Sequence, residues 1–142
     1  MASPEELGRR MLELTDRHDW AAREALLTPD CEVVVPAGAL HGRAATTEYS
    51  EPLVGAFSEA YHRIDLIAAA GDVVVIEGVW IGTNDGPLVT PQGEVPATGR
   101  PINLPFAVTI RTVGDQVASM HVYFDQLAFL GELGLVPQPQ AA

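Results

Sequence analysis

Leu7, Met11 and Leu14 recur at helical spacing behind Ser3, a candidate N-cap, with Pro4, Glu5 and Glu6 in the first turn; this predicts an amphipathic first helix. Asp19 can cap a shorter helix carrying Trp20, Ala25 and Leu26, which "TPD" at 28–30 would end. "CEVVVP" then reads as a short strand opened by Cys31. Tyr49, Leu53 and Phe57 are spaced by four and predict a third helix, which Pro52 would kink or divide. From Arg63 onward the pattern turns to β: "RIDLIAAA", "DVVVIEGVWIGT", "INLPFAVTIRTV" and "QVASMHVYF" are apolar, rich in branched residues and separated by turn signals. "LAFLGELGLVP" predicts a short terminal helix ended by Gly134 and Pro137, followed by a loose tail, "QPQAA". Helices first and strands later favour an α+β domain with helices packed on a mostly antiparallel sheet.

The segment "SMHVYFDQL" interrupts this apolar β pattern. Alternation puts Ser119, His121, Tyr123 and Asp125 on one strand face and Met120, Val122 and Phe124 on the other. "VGDQ" predicts a hairpin turning at Gly114 and Asp115 with Val113 opposite Gln116. In a regular ladder Ile110 then faces Ser119, Val108 faces His121, Phe106 faces Tyr123 and Leu104 faces Asp125. The polar side chains would look into an apolar wall, an inference that one bulge would reverse. An ionised carboxylate there must be hydrogen-bonded, neutralised or set in a wet cavity. Asp125 is therefore either the N-cap of the terminal helix or a pocket carboxylate.

Composition narrows the partners. The 142 residues, 47% of them hydrophobic, suit one domain over 1–142 with a sizeable core. Nineteen acidic residues against eight Lys and Arg give a net charge of −11, which disfavours nucleic acid and anionic membranes. There is no signal-like apolar stretch and no run long enough to span a bilayer, so a cytoplasmic location is expected. Cys31 is the only cysteine, and His18, His41, His62 and His121 have no metal-site spacing, so no metal is expected. The first three of those histidines read as solvent-facing or structural. The glycines of "GVWIGTNDG" do not form a dinucleotide fingerprint. Trp80 and Trp20 are core or pocket-lining, and Arg100 reads as a structural hydrogen-bonder.

From "GDVVVIEGVWIGTNDG" through "PATGRPINLPFAVTI" to "VASMHVYFDQLAFLGELGLVP", the chain resembles the SnoaL-like polyketide cyclases of the nuclear transport factor 2-like superfamily. "GTNDG", "TGR" and the terminal "D…L…LGLVP" carry the likeness. The resemblance implies a cone-shaped α+β fold, with a curved, mostly antiparallel sheet and N-terminal helices enclosing a hydrophobic pocket. It also implies a homodimer and an intramolecular aldol closure without metal or organic cofactor. The aspartate ending the last strand, here Asp125, would be the acid/base. Asn84 stands where members often carry histidine, and the link from "GTNDG" to "TGR" is longer.

The residues and the resemblance together point to proton abstraction next to a carbonyl of a polyketide-like or other apolar compound, followed by ring closure or isomerisation. Asp125 would be the base, and Tyr123 or His121 would steady the enolate oxygen. Leu104, Phe106, Val108, Trp80 and Asn84 would contact the substrate. Two other classes stay open: a noncatalytic binder of a small apolar ligand, and an interaction domain using its outer sheet face.

Overall fold

The computed structural model describes residues 2–90 and 93–136. Helix α1 (Pro4–Asp16) begins at Ser3, whose Oγ accepts the Glu6 N–H at 3.1 Å, and buries Leu7, Gly8, Met11, Leu14 and Thr15 on one face. A Cβ at Gly8 would sit 3.2 Å from side-chain carbons of both Val74 and Ile76, so the missing side chain lets the helix lie close on the sheet. Helix α2 (Trp20–Leu26) is capped by Asp19, as its sequence predicts. The "TPD" segment does not end it in a loop. Strand β1 (Leu27–Val35) follows directly and contains that segment, four residues ahead of the expected start.

Strand β2 (Gly38–His41), not anticipated from the sequence, is a short antiparallel partner of β1. Helix α3 (Arg43–Gly55) holds Pro52 in its last turn without dividing, because few hydrogen bonds lie downstream to lose; Phe57 falls just beyond its end. The predicted strands are all present: β3 (Tyr61–Ala70), β4 (Val73–Thr83), β7 (Pro101–Val113) and β8 (Gln116–Phe124). Between β4 and β7 lies a small hairpin of β5 (Leu88–Thr90) and β6 (Gly93–Val95). Helix α4 (Gln126–Glu132) closes the fold, with Gly134 at a φ of 72° after it. The expected stop at Pro137 and the tail lie outside the described residues.

The main sheet runs β2-β1-β8-β7-β4-β3, with every pair antiparallel except β1 with β8. The α+β, mostly antiparallel architecture expected from the sequence is therefore present. A register shift between Ile64 and Leu66 bends β3. Opposite it, Gly78 is required, since a Cβ there would fall 1.9 Å from the Arg63 carbonyl oxygen.

A second irregularity overturns the expected register of the polar strand. Val113 does pair with Gln116, and Thr112 with Val117, but Arg111 then pairs with Ser119, leaving Ala118 as an extra residue. Every later partner moves by one: Ile110 meets Met120, Thr109 meets His121, Val108 meets Val122, Ala107 meets Tyr123 and Phe106 meets Phe124. A one-residue slip exchanges the faces of a strand. Met120, Val122 and Phe124 consequently turn toward the helices, while His121 and Tyr123 are exposed on the opposite face.

Under the helices the inner face carries two apolar clusters. One joins α1 to β1, β4, β7 and β8 through Leu7, Met11, Val33, Ile76, Val108 and Met120. The other gathers Phe57, Trp80, Ile102, Leu104 and Phe129 around α4. Phe106 packs against both.

Candidate functional site

Between these clusters the packing leaves a cavity of about 130 Å³. An engineered apolar cavity of about 150 Å³ holds a benzene molecule, so this space suits a group the size of one ring. The wall is mostly aliphatic and aromatic. Trp80, Leu104, Phe106 and Val108 line it, together with Met120, Val122 and Phe124, which the bulge turns toward it in place of the polar residues expected there.

Few polar groups reach the cavity, and two belong to connected networks. His62 enters from the start of β3, where pairing with Trp80 places it on the inner face. Its Nδ1 lies 2.6 Å from Asp16 Oδ1, and its backbone N–H donates to Asp16 Oδ2 at 3.0 Å. Asp16 is the last residue of α1, the end at which the helix dipole opposes a carboxylate; the two bonds from His62 compensate. The imidazole stacks on Trp80 with centroids 6.1 Å apart and meets Phe106 edge-on at 5.1 Å. With Nδ1 committed to Asp16, Nε2 is the nitrogen left for a ligand.

Arg23, on α2, is the second. It is only 6% exposed. Its Nε donates to Thr15 Oγ1 at 2.8 Å, while Thr15 passes its own proton to the Met11 carbonyl at 2.9 Å. The guanidinium carbon lies 5.7 Å from the Trp20 ring centroid, a cation–π contact. Nη1 is buried without a hydrogen-bond partner, as is Trp80 Nε1. No carboxylate pairs with Arg23 among the described residues. Burial pushes its pKa down to about 10, which leaves it charged at neutral pH, and pushes the Tyr49 phenol up.

The strand-end residues expected to carry chemistry lie elsewhere. Asp125 is exposed and accepts the Ala128 N–H at 3.0 Å as the N-cap of α4, the first of its two readings. Tyr123 Oη and His121 Nδ1 are 3.5 Å apart on the outer face. None of the three lines the cavity. Asn84 does not line it either. Fully buried, it donates to the carbonyls of Ala56 and Gly86 at 3.0 and 2.9 Å and accepts from the N–H and Oγ1 of Thr98 at 2.8 and 2.9 Å. Its amide has no capacity left for a substrate.

Asp16 and Arg23 were not singled out from the sequence, and His62, read there as solvent-facing or structural, lines the cavity. The available signals were weak ones: a single basic residue inside "WAAREALL", and a histidine two residues before Ile64, sharing its strand face. Among the described residues, no three or more His, Cys, Asp or Glu side chains cluster as metal ligands, and no helix is long and apolar enough to cross a membrane.

Comparison with solved structures places the fold among ketosteroid-isomerase-like and nuclear transport factor 2-like proteins. AclR from Streptomyces galilaeus, a candidate hydroxylase, superposes with a TM-score of 0.80 at 19% identity, over 94% of this chain and 97% of that one. A candidate polyketide cyclase from Xanthomonas campestris pv. campestris gives 0.78 at 22% identity, over 92% and 99%. A protein of ketosteroid isomerase-like fold from Catenulispora acidiphila, solved with trimethylamine, gives 0.75 at 22% identity, over 92% and 94%. No curated protein matches the sequence. The model of the SnoaL-like domain matches residues 8–120, a span that holds Asp16, Arg23, His62 and strands β1 to β7 and ends within β8; the chain belongs to the SnoaL-like domain family.

Proposed function

We propose that the protein is a cofactor-independent acid/base enzyme acting on a small apolar carbonyl compound. The observation that carries this reading is the Asp16–His62 pair at the wall of an otherwise apolar cavity. His62 Nε2 takes a proton from the carbon next to the carbonyl. The imidazolium so formed is stabilised by the Asp16 carboxylate, 2.6 Å away on the other side of the ring. The electron pair left on carbon delocalises into the carbonyl as an enolate. His62 then returns its proton, either to another carbon, which isomerises the compound, or to the alkoxide formed when the carbanion closes on a second carbonyl. Both routes conserve atoms and electrons and need no cofactor. Family membership and the cyclase-type neighbours support this class of chemistry.

The cavity limits the substrate to about one ring unless side chains move. A second reading, noncatalytic binding of an apolar ligand, is favoured by one observation: the strand-end aspartate is occupied as a helix cap. Deuterium uptake from solvent, followed by NMR at the carbon next to the carbonyl of one-ring ketones and β-diketones, tests the proposal. Protein-accelerated uptake is expected; a ligand that binds without any acceleration would leave only the binding role.

On the same reading the protein is a cytoplasmic homodimer. The exposed apolar side chains Tyr123, Leu66 and Val75 on the outer sheet face, and the free buried thiol of Cys31, support that picture.

A further inference from the structure

A buried guanidinium without a carboxylate partner is costly in a folded protein, because desolvation is offset only by whatever hydrogen bonds the group can find. Arg23 finds a single acceptor, Thr15 Oγ1, and spends Nε on it. Nη1 has none, although the residue is 94% buried and lines the cavity. The Thr15 hydroxyl is itself anchored to the Met11 carbonyl, so the fork is fixed in direction with part of it unused. A second orphan donor, Trp80 Nε1, belongs to the same lining. Two buried, unpaired donors thus sit on residues that line one small cavity, where an acceptor brought in from outside would satisfy them.

We infer that Arg23 is the anion-recognition residue of this cavity and that the ligand presents a planar anion with two oxygens, held by the guanidinium fork inside an apolar pocket. Two chemical sources share that group. One is a carboxylate carried by the ligand throughout. The other is the enolate of a β-dicarbonyl, which the proposed proton abstraction would itself generate; to that extent the inference rests on the acid/base reading. Arginine suits either source: its parallel N–H groups match the two oxygens of a carboxylate, and the same fork can close on one oxygen of a ring enolate, whose two oxygens diverge.

The test is calorimetric binding at neutral pH with two matched pairs of one-ring probes. Cyclohexanecarboxylate is compared with cyclohexanecarboxamide. Dimedone, an enolate at neutral pH, is compared with its analogue bearing two methyl groups on the central carbon, which cannot form the anion. At least one anion should bind the unmodified protein more tightly than its neutral counterpart, by roughly thirtyfold or more. Preference for the carboxylate alone assigns a permanent acid group, and preference for dimedone alone assigns the reaction's own anion. Arg23→Met should abolish the preference, and Arg23→Lys should retain only part of it. Equal affinity within both pairs, no binding of either anion at millimolar concentration, or a preference that survives in Arg23→Met would overturn the inference. Should Arg23→Met fail to fold, the unmodified protein and Arg23→Lys still decide. His62→Gln separates the two proposals: it should keep the anion preference whether or not it retains proton exchange. An unmodified protein with the preference but no exchange would sink only the acid/base reading, and exchange without the preference would sink only the role of Arg23.

Discussion

Asp16 holds His62 at two points: Oδ1 lies 2.6 Å from Nδ1 of the ring, and Oδ2 accepts the His62 backbone N–H at 3.0 Å. One carboxylate thus fixes both the position of the strand start and the orientation of the imidazole. If His62 is the base, Asp16 sets its tautomer and stabilises its charged form.

Asp16→Asn should therefore lower turnover by roughly a hundredfold or more, because an amide can present N–H to Nδ1 and turn the ring to the wrong tautomer. Substrate affinity should change little, so that the loss falls on the rate. A folded Asp16→Asn that turns over at the parent's rate would remove Asp16 from the mechanism.

Asn84 joins the segment after β4 to those after α3 and before β7, with all four hydrogen-bonding positions of its amide used inside the protein. Asn84→Ala should cost about 2–4 kcal/mol, since it removes four hydrogen bonds at once and leaves the Gly86 carbonyl and the Thr98 N–H without their partner. Denaturant unfolding measures this. A loss within about 0.5 kcal/mol, the range of an ordinary surface change, would contradict the latch.

Asp85, the next residue, accepts both the N–H and the hydroxyl of Ser58, and these bonds hold its carboxyl below the usual range. A depressed folded pKa means that the stabilisation is complete above the unfolded value, about 4, and is lost as pH falls through the lower folded value. Asp85→Asn should be less stable than the parent near neutrality, and the difference should shrink in acid. Melting curves at several pH values report it; a difference that stays constant would exclude the linkage.

How much of this was legible beforehand follows from the range of each interaction. The strands after Arg63 and the turn at Gly114 rest on local alternation and turn chemistry, and they formed as read. Ala118 carries no local mark of a bulge, yet it reverses the faces of β8 and takes His121 and Tyr123 out of the cavity. The partner of His62 lies 46 residues away on a helix, and the parallel pairing of β1 with β8 joins strands from opposite ends of the fold. Asp125 was legible as a cap because that interaction spans three residues.

The proposed dimer would cover Tyr123 and Leu66, which the outer sheet face leaves 57% and 50% exposed. Light scattering at micromolar concentration should give the mass of two chains, and Tyr123→Glu should shift it toward one. A single-chain mass for the parent would overturn the dimer.

In the proposed mechanism proton transfer occurs in the cavity at His62 and not at the end of β8. The most direct measurement is deuterium uptake by a one-ring carbonyl compound with the parent, His62→Gln and Asp125→Asn, each checked for folding by its melting temperature. His62→Gln should lose roughly a hundredfold or more of the exchange rate while still folded. Asp125→Asn, an equally good cap, should keep the parent's rate and stability. Full exchange in His62→Gln together with its loss in a folded Asp125→Asn would rule out His62 as the base and return the chemistry to the strand-end carboxylate.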